Sequence, residues 1–200
     1  MQRRGSRLIK AFITMSSTSV SSGWSPTQIT NSGSTLEWTV SNGVTIAKTT
    51  INDPTFDFSG NTGTADILIE KVDGLAILSI PDLSLKALNV SNYKELTILS
   101  CTGNSISTLD VSTNTELTHL NCQDNSISTL NVSNNTELTY LRCYGNYQAP
   151  SITDQIFMDL DANEKSNGEL EIRNNRTSAS DAARANLITK GWLITDDYTS

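Results

Sequence analysis

Three cysteines, Cys101, Cys122 and Cys143, stand 21 residues apart. A thiolate can attack a carbonyl, hold a metal or form a disulfide, so these residues come first among those able to do chemistry. Their number is odd and their even spacing matches no zinc pattern. They read instead as buried thiols stacked in a ladder, since Cys is a common small core residue. A disulfide between adjacent rungs is the exception left open. The single histidine, His119, has no serine or cysteine nucleophile motif beside it, so no triad is singled out. Glu169 and Glu171 lie two apart, as a carboxylate pair would on one strand face, and a solvated face is the simpler reading. There is no phosphate loop, dinucleotide fingerprint or H-E-x-x-H. Asp and Asn are plentiful but follow no EF-hand or nonapeptide spacing. The expectation is therefore a non-enzymatic chain without cofactor or metal.

The period of the cysteines is the period of the chain. Leu96 to Glu116 reads LTILSCTGNSISTLDVSTNTE and Leu117 to Glu137 reads LTHLNCQDNSISTLNVSNNTE, with 15 of 21 positions identical. A third copy begins at Leu138, and a weaker one at Leu75 has Ile80 for the cysteine and Leu83 for the asparagine. Leu99 and Cys101 are two apart, as on the inward face of a strand, while Leu96, Ile106, Leu109 and Val111 supply apolar positions to the rest of a coil. One turn alone cannot bury that surface. Stacked turns, at a strand spacing of about 4.8 Å, build a continuous core and a parallel sheet.

Four of the six differences between the two best copies fall in the strand segment: Ile98/His119, Ser100/Asn121, Thr102/Gln123 and Gly103/Asp124. The first three alternate with the inward Leu and Cys, so they project from the opposite sheet face. The next copy changes there again, to Tyr140, Arg142 and Tyr144, and a later segment offers Glu169, Glu171 and Arg173. Tyr and Arg are enriched among residues that carry interface energy. The recognition surface is placed at Tyr140, Arg142 and Tyr144, with His119, Asn121 and Gln123 beside them. The plain alternative is a set of solvated strand positions that drift freely.

The pattern L-x-x-L-x-C-x-x-N-x-I-x-x-L-x-V resembles the leucine-rich-repeat family, in the bacterial 21-residue style of surface and secreted proteins of Bacteroidetes. The resemblance is specific over residues 75 to 146 and weaker outside. It implies an α/β repeat solenoid, a right-handed coil whose parallel sheet lines a concave face used for binding. It also implies that Asn104, Asn125 and Asn146 point inward and bond the backbone of neighbouring turns, as a buried amide must.

Residues 151–162, SITDQIFMDLDA, carry Ser151 and Asp154 at capping-box spacing and Ile152, Ile156 and Leu160 on one helical face. GELEIRNN, at 168–175, repeats the Leu99, Cys101, Asn104 spacing as Leu170, Ile172 and Asn175, and predicts a further strand of the same sheet. A second helix over 182–190, stopped by Gly191, leads to a last strand GWLIT, whose Trp192 and Ile194 close the core. Upstream, LEWTV, FDFSG and ADILIE alternate apolar and polar residues between turn sequences and read as strands. They are expected to form an N-terminal cap, the alternative being a separate small β domain. The divisions are 1–14, 15–74 for the cap, 75–150 for the repeats and 151–200 for a helix-containing C-terminal cap. For residues 1–14 three readings stand: a disordered basic tail, a degenerate targeting segment, or sequence upstream of a start at Met15, the last being preferred.

Fourteen basic against 21 acidic residues give a net charge of -7. That opposes nucleic acid as the main partner, and no stretch approaches the roughly 18 apolar residues of a membrane span. The favoured function is protein–protein recognition through the concave face, on a cell surface, secreted or in a virion. The alternatives are a glycan-binding module, with Tyr144 stacking and Asn121, Gln123 and Glu171 hydrogen bonding, and an architectural piece whose face binds nothing. The oligomeric state is open. The sequons at Asn89, Asn131, Asn134 and Asn175 follow from a repeat rich in Asn, Ser and Thr.

Overall fold

A computed structural model of the chain describes residues 75–173 and 176–196 throughout and, before them, the backbone of four strands. In chain order the elements are β1 (Phe12–Ser17), β2 (Gln28–Asn31), β3 (Glu37–Val40), β4 (Ala65–Glu70), β5 (Leu75–Ser79), β6 (Leu85–Asn89), β7 (Ile98–Ser100), β8 (His119–Asn121), β9 (Tyr140–Arg142), α1 (Pro150–Ala162), β10 (Glu169–Glu171), α2 (Asp181–Thr189) and β11 (Leu193–Thr195). Six of these, β5, β7, β8, β9, β10 and β11, form one parallel sheet, and β2 adds an antiparallel edge beside β5. Each step is in register: Leu78, Leu99, Leu120, Leu141 and Leu170 stand side by side. All five are wholly buried, as are Cys101, Cys122 and Cys143. Hiding a leucine from water contributes about 1.5–3 kcal/mol. One such leucine per short strand is why a three-residue strand suffices here. The result is an α/β repeat solenoid.

Between sheet strands the chain turns tightly. Val90, Val111 and Val132 carbonyls accept from Tyr93, Asn114 and Asn135, whose own carbonyls accept from Leu96, Leu117 and Leu138. After β9 this segment is replaced by α1, which buries Ile156, Phe157 and Leu160 against the core. The helix begins one residue earlier than expected and without the capping box. Ala149 precedes it and makes no side-chain cap, and Pro150 takes a first-turn position where a missing N–H costs nothing. Asp154 is instead turned to the next segment, where it accepts from Thr177 N (2.8 Å), Ser180 Oγ (2.7 Å) and Thr177 Oγ1.

A short 3-10 turn, Ser178–Ser180, leads into α2, which ends at Gly191 with φ +84. There Gly191 N bonds Ile188 O and Trp192 N bonds Leu187 O, a closed left-handed helix stop. Trp192 then lies in the core, its Nε1 donating to Lys165 O at 2.8 Å. Gly168 makes room for it, since a Cβ there would meet the indole at 2.6 Å. Ile194 packs against the core only partly buried.

The N-terminal strands differ from expectation in extent. A four-stranded antiparallel sheet has the order β3, β4, β1, β6, and its last strand belongs to the first repeat. The boundary expected at residue 15 falls inside β1, where Phe12, Ile13 and Thr14 pair with Glu70, Ile69 and Leu68. β1 and β2 have no counterpart in the sequence reading, because their partners lie far along the chain. FDFSG and Asn175 lie outside the described residues.

Candidate functional site

The in-register stacking that buries the leucines fixes what faces the other way. Side chains alternate along a strand, so the residues flanking each buried leucine form two columns on the outer sheet face. One runs Ile77, Ile98, His119, Tyr140, Glu169 and Leu193; the other runs Ser79, Ser100, Asn121, Arg142, Glu171 and Thr195. Four of these strands carry an intermediate or exposed residue on each side of a buried one. The predicted residues His119, Asn121, Tyr140, Arg142, Glu169 and Glu171 are thus neighbours on one surface, with Gln123, Tyr144 and Arg173 just beyond the strand ends.

These side chains are not independent. The His119 and Tyr140 rings stack with centroids 5.2 Å apart and planes at 28°. His119 Nδ1 lies 2.9 Å from Thr118 Oγ1, so its neighbour is a hydroxyl and not a carboxylate. The Arg142 guanidinium sits 5.0 Å from the Tyr140 ring centre, while its Nη2 contacts Glu169 Oε1 at 3.0 Å and Glu171 Oε1 at 2.8 Å. The hydrogen bond with Glu169 holds Arg142 firmly cationic. Burial pushes the Tyr140 phenol up, opposed by Arg142 and aided by Glu169 and Glu171. A stacked, ion-paired block of five side chains results, far more fixed than separate surface residues.

One correction to the sequence reading follows, and one addition to it. The Glu169–Glu171 pair does not face water alone, because one arginine bridges it. Gly103/Asp124 does not vary freely either. Asp82, Gly103, Asp124 and Gly145 stand 21 apart, all with positive φ between +52 and +68, a region where Gly is unstrained and Asp is tolerated. A Cβ on Gly103 would overlap Asp82 Oδ1, and one on Gly145 would overlap Asp124 Oδ1. Each aspartate therefore lies over a glycine, and the alternation is a packing rule.

The three thiols are unpaired and buried; burial pushes Cys122 up to about 12 and Cys101 and Cys143 well above the usual thiol range. A neutral thiol shielded from solvent neither attacks nor binds metal at ordinary pH. Asn104, Asn125 and Asn146 each bond the backbone of the neighbouring turn. Asn125, for example, accepts from Ile106 N at 3.0 Å and donates to the carbonyls of Cys101, Cys122 and Gln123 at 2.9–3.1 Å.

A second buried column escaped the sequence reading. Asn114 and Asn135, both 0% exposed, donate to Val90 and Tyr93 and to Val111 and Asn114 carbonyls. Their identity in the two best copies was the available signal. Also missed were the exposed apolar side chains Tyr147 and Leu193, at 74% and 72%. A cleft of about 200 Å³ lined by Tyr144, Glu171, Ile172, Arg173 and Thr195 lies past the strand ends, with the Arg173 guanidinium 5.5 Å from the Tyr144 ring centre. Among the described residues no group of three or more His, Cys, Asp or Glu is placed to hold a metal, and no helix is long and apolar enough to cross a membrane.

No family model matches the chain, and no curated protein matches it. Among solved structures it is similar to the functional domain of InlJ from Listeria monocytogenes, described as including a cysteine ladder, at 38% identity and a TM-score of 0.38 over 40% of this chain. The match spans 18% of that protein's length.

Proposed function

We propose that the chain is a non-enzymatic binding module that recognises a protein through the outer face of its parallel sheet, acting at a cell surface, after secretion or in a virion. The observation that carries this reading is the fixed block of His119, Tyr140, Arg142, Glu169 and Glu171. Two aromatic rings and an arginine, held by stacking and by two carboxylates, meet a partner with little side-chain entropy left to lose. A free surface of drifting polar residues would not build such a block.

Glycan binding is the weaker reading. The ring meant to stack a sugar, Tyr144, already has Arg173 against it.

The test is a pull-down with purified protein in extracts of the cells that carry it. A partner captured by the wild type and by a Thr108→Ala/Thr129→Ala variant of the opposite surface, but not by Tyr140→Ala, is the expected result. Equal capture by Tyr140→Ala, with an unchanged unfolding midpoint, would sink the reading.

A further inference from the structure

We infer that the segment received by this face is basic: an extended stretch crossing the strands, with a Lys or Arg over Glu169 and Glu171 and an aliphatic side chain four residues away over Ile98. The inference rests on the reading of the outer sheet face as the binding surface.

Its first ground is charge. Arg142 supplies one positive charge to two carboxylates, meeting both through the same nitrogen, Nη2. Among the described residues neither glutamate has a second cationic partner. Arg173, the other cation near this end, stands over Tyr144 past the strand ends. A carboxylate arriving from a partner would meet two glutamates and an arginine they already occupy. An arriving ammonium or guanidinium neutralises the surplus. The net charge of -7 steers basic segments in the same sense.

The second ground is the order of the column. From Ile77 to Glu169 it runs aliphatic, aliphatic, aromatic, aromatic, acidic, with every step in register. Ile98 and Glu169 are three strand spacings apart, about 14 Å, close to the roughly 13 Å covered by four residues of extended chain. Four is an even number, so the basic and aliphatic side chains of such a segment point to the same side. Ser79 and Ser100, small residues in the neighbouring column, leave depth beside Ile77 and Ile98.

Selection of phage-displayed random 12-residue peptides on the full chain tests this, with each enriched peptide then measured on variants. The expected result is a shared Lys or Arg with an aliphatic residue four positions away, about tenfold or more weaker binding to Glu169→Gln/Glu171→Gln, and weakening by salt. A peptide with Glu in place of its basic residue should regain binding to Glu169→Lys, which a merely structural role of the glutamate would not produce. Enriched peptides without a basic residue, lost on Tyr140→Ala but kept on Glu169→Gln/Glu171→Gln, overturn the basic partner and leave the face as the binding surface. Peptides that bind Tyr140→Ala as well as wild type, or no enrichment over bare support, overturn both.

Discussion

Asn104, Asn125 and Asn146 form one column of the coil, and Ile98, His119 and Tyr140 form another a few ångströms away. Over these three rungs the first column keeps one residue while the second changes at each step. The contrast is one of hydrogen bonds left over. Each asparagine accepts from backbone N–H groups of the turn below and donates to carbonyls of its own turn and that turn. Only an amide of that length has both the donors and the acceptor. On the sheet face the backbone is already satisfied by neighbouring strands, so side chains there answer to one another, to solvent or to a partner, and not to the backbone.

The sharpest way to break the comparison is to remove an amide. Asn125→Ala should cost about 3 kcal/mol or more, because it orphans the buried Ile106 N–H and leaves a small void. At the usual 2–4 °C per kcal/mol for a chain of this size, the unfolding midpoint falls by about 6–12 °C. A loss below about 1 kcal/mol would mean water replaces the amide and the column is not what enforces its own sameness.

The Asp82, Gly103, Asp124, Gly145 column varies, yet belongs with the asparagines. Gly103→Asp should cost about 2 kcal/mol, through strain at φ +67 and overlap with Asp82. Asp82→Gly in the same chain should restore at least half, since it removes the overlapping carboxylate and suits its own positive φ. Denaturant unfolding of the four members of this cycle measures the coupling. Additive costs would return the alternation to drift.

These two experiments also separate what the sequence shows from what it hides. Leu99, Cys101 and Asn104 were legible because their identity recurs every 21 residues. The outer face was legible by the opposite property, change at fixed positions. The role of the Asp/Gly column was not legible, because its cause is a contact between adjacent rungs that one rung's residues do not display. Asn114 and Asn135 passed unseen because the exposed Asn, Ser and Thr around them looked the same. The bridging of Glu169 and Glu171 by Arg142 joins residues 27 and 29 apart across an inserted helix, where the 21-residue count no longer holds.

The same contrast between satisfied and unsatisfied groups recurs within α1. Burial pushes the Asp154 carboxyl up, but hydrogen bonds from Ser180 and Thr177, with Arg176 nearby, outweigh it and hold the group below the usual carboxylate range. Its contribution is therefore present above the unfolded value of about 3.9 and lost as pH falls through the lower folded value. Asp154→Ala should cost about 2 kcal/mol at pH 7, a difference that shrinks on acidification below about pH 4. Burial pushes Asp159 up, and bonds from Gln155 and the Val132 backbone only partly oppose it. The sign reverses, so Asp159→Asn should raise the midpoint at pH 7 and lose that advantage as the wild-type carboxyl takes up its proton. Parallel pH profiles for the two variants would contradict the assignment.

The smallest effect is the most telling. If the outer columns answer to one another, to solvent or to a partner, and not to the backbone, one rung's face should be transferable to another. Ile98→His, Ser100→Asn and Thr102→Gln together copy the face of the rung that begins at Leu117 onto the one that begins at Leu96, and the midpoint should move by no more than the equivalent of about 1 kcal/mol, mostly from the exchanged isoleucine. Adding Gly103→Asp completes the strand segment and should bring the full cost of the Asp82 overlap, because that position packs against the neighbouring rung. A costly triple and a free fourth step would mean that the sheet face supports the coil. A free triple and a costly fourth would leave the variation at positions 98, 100 and 102 unexplained by stability, which is the condition for recognition to be its cause.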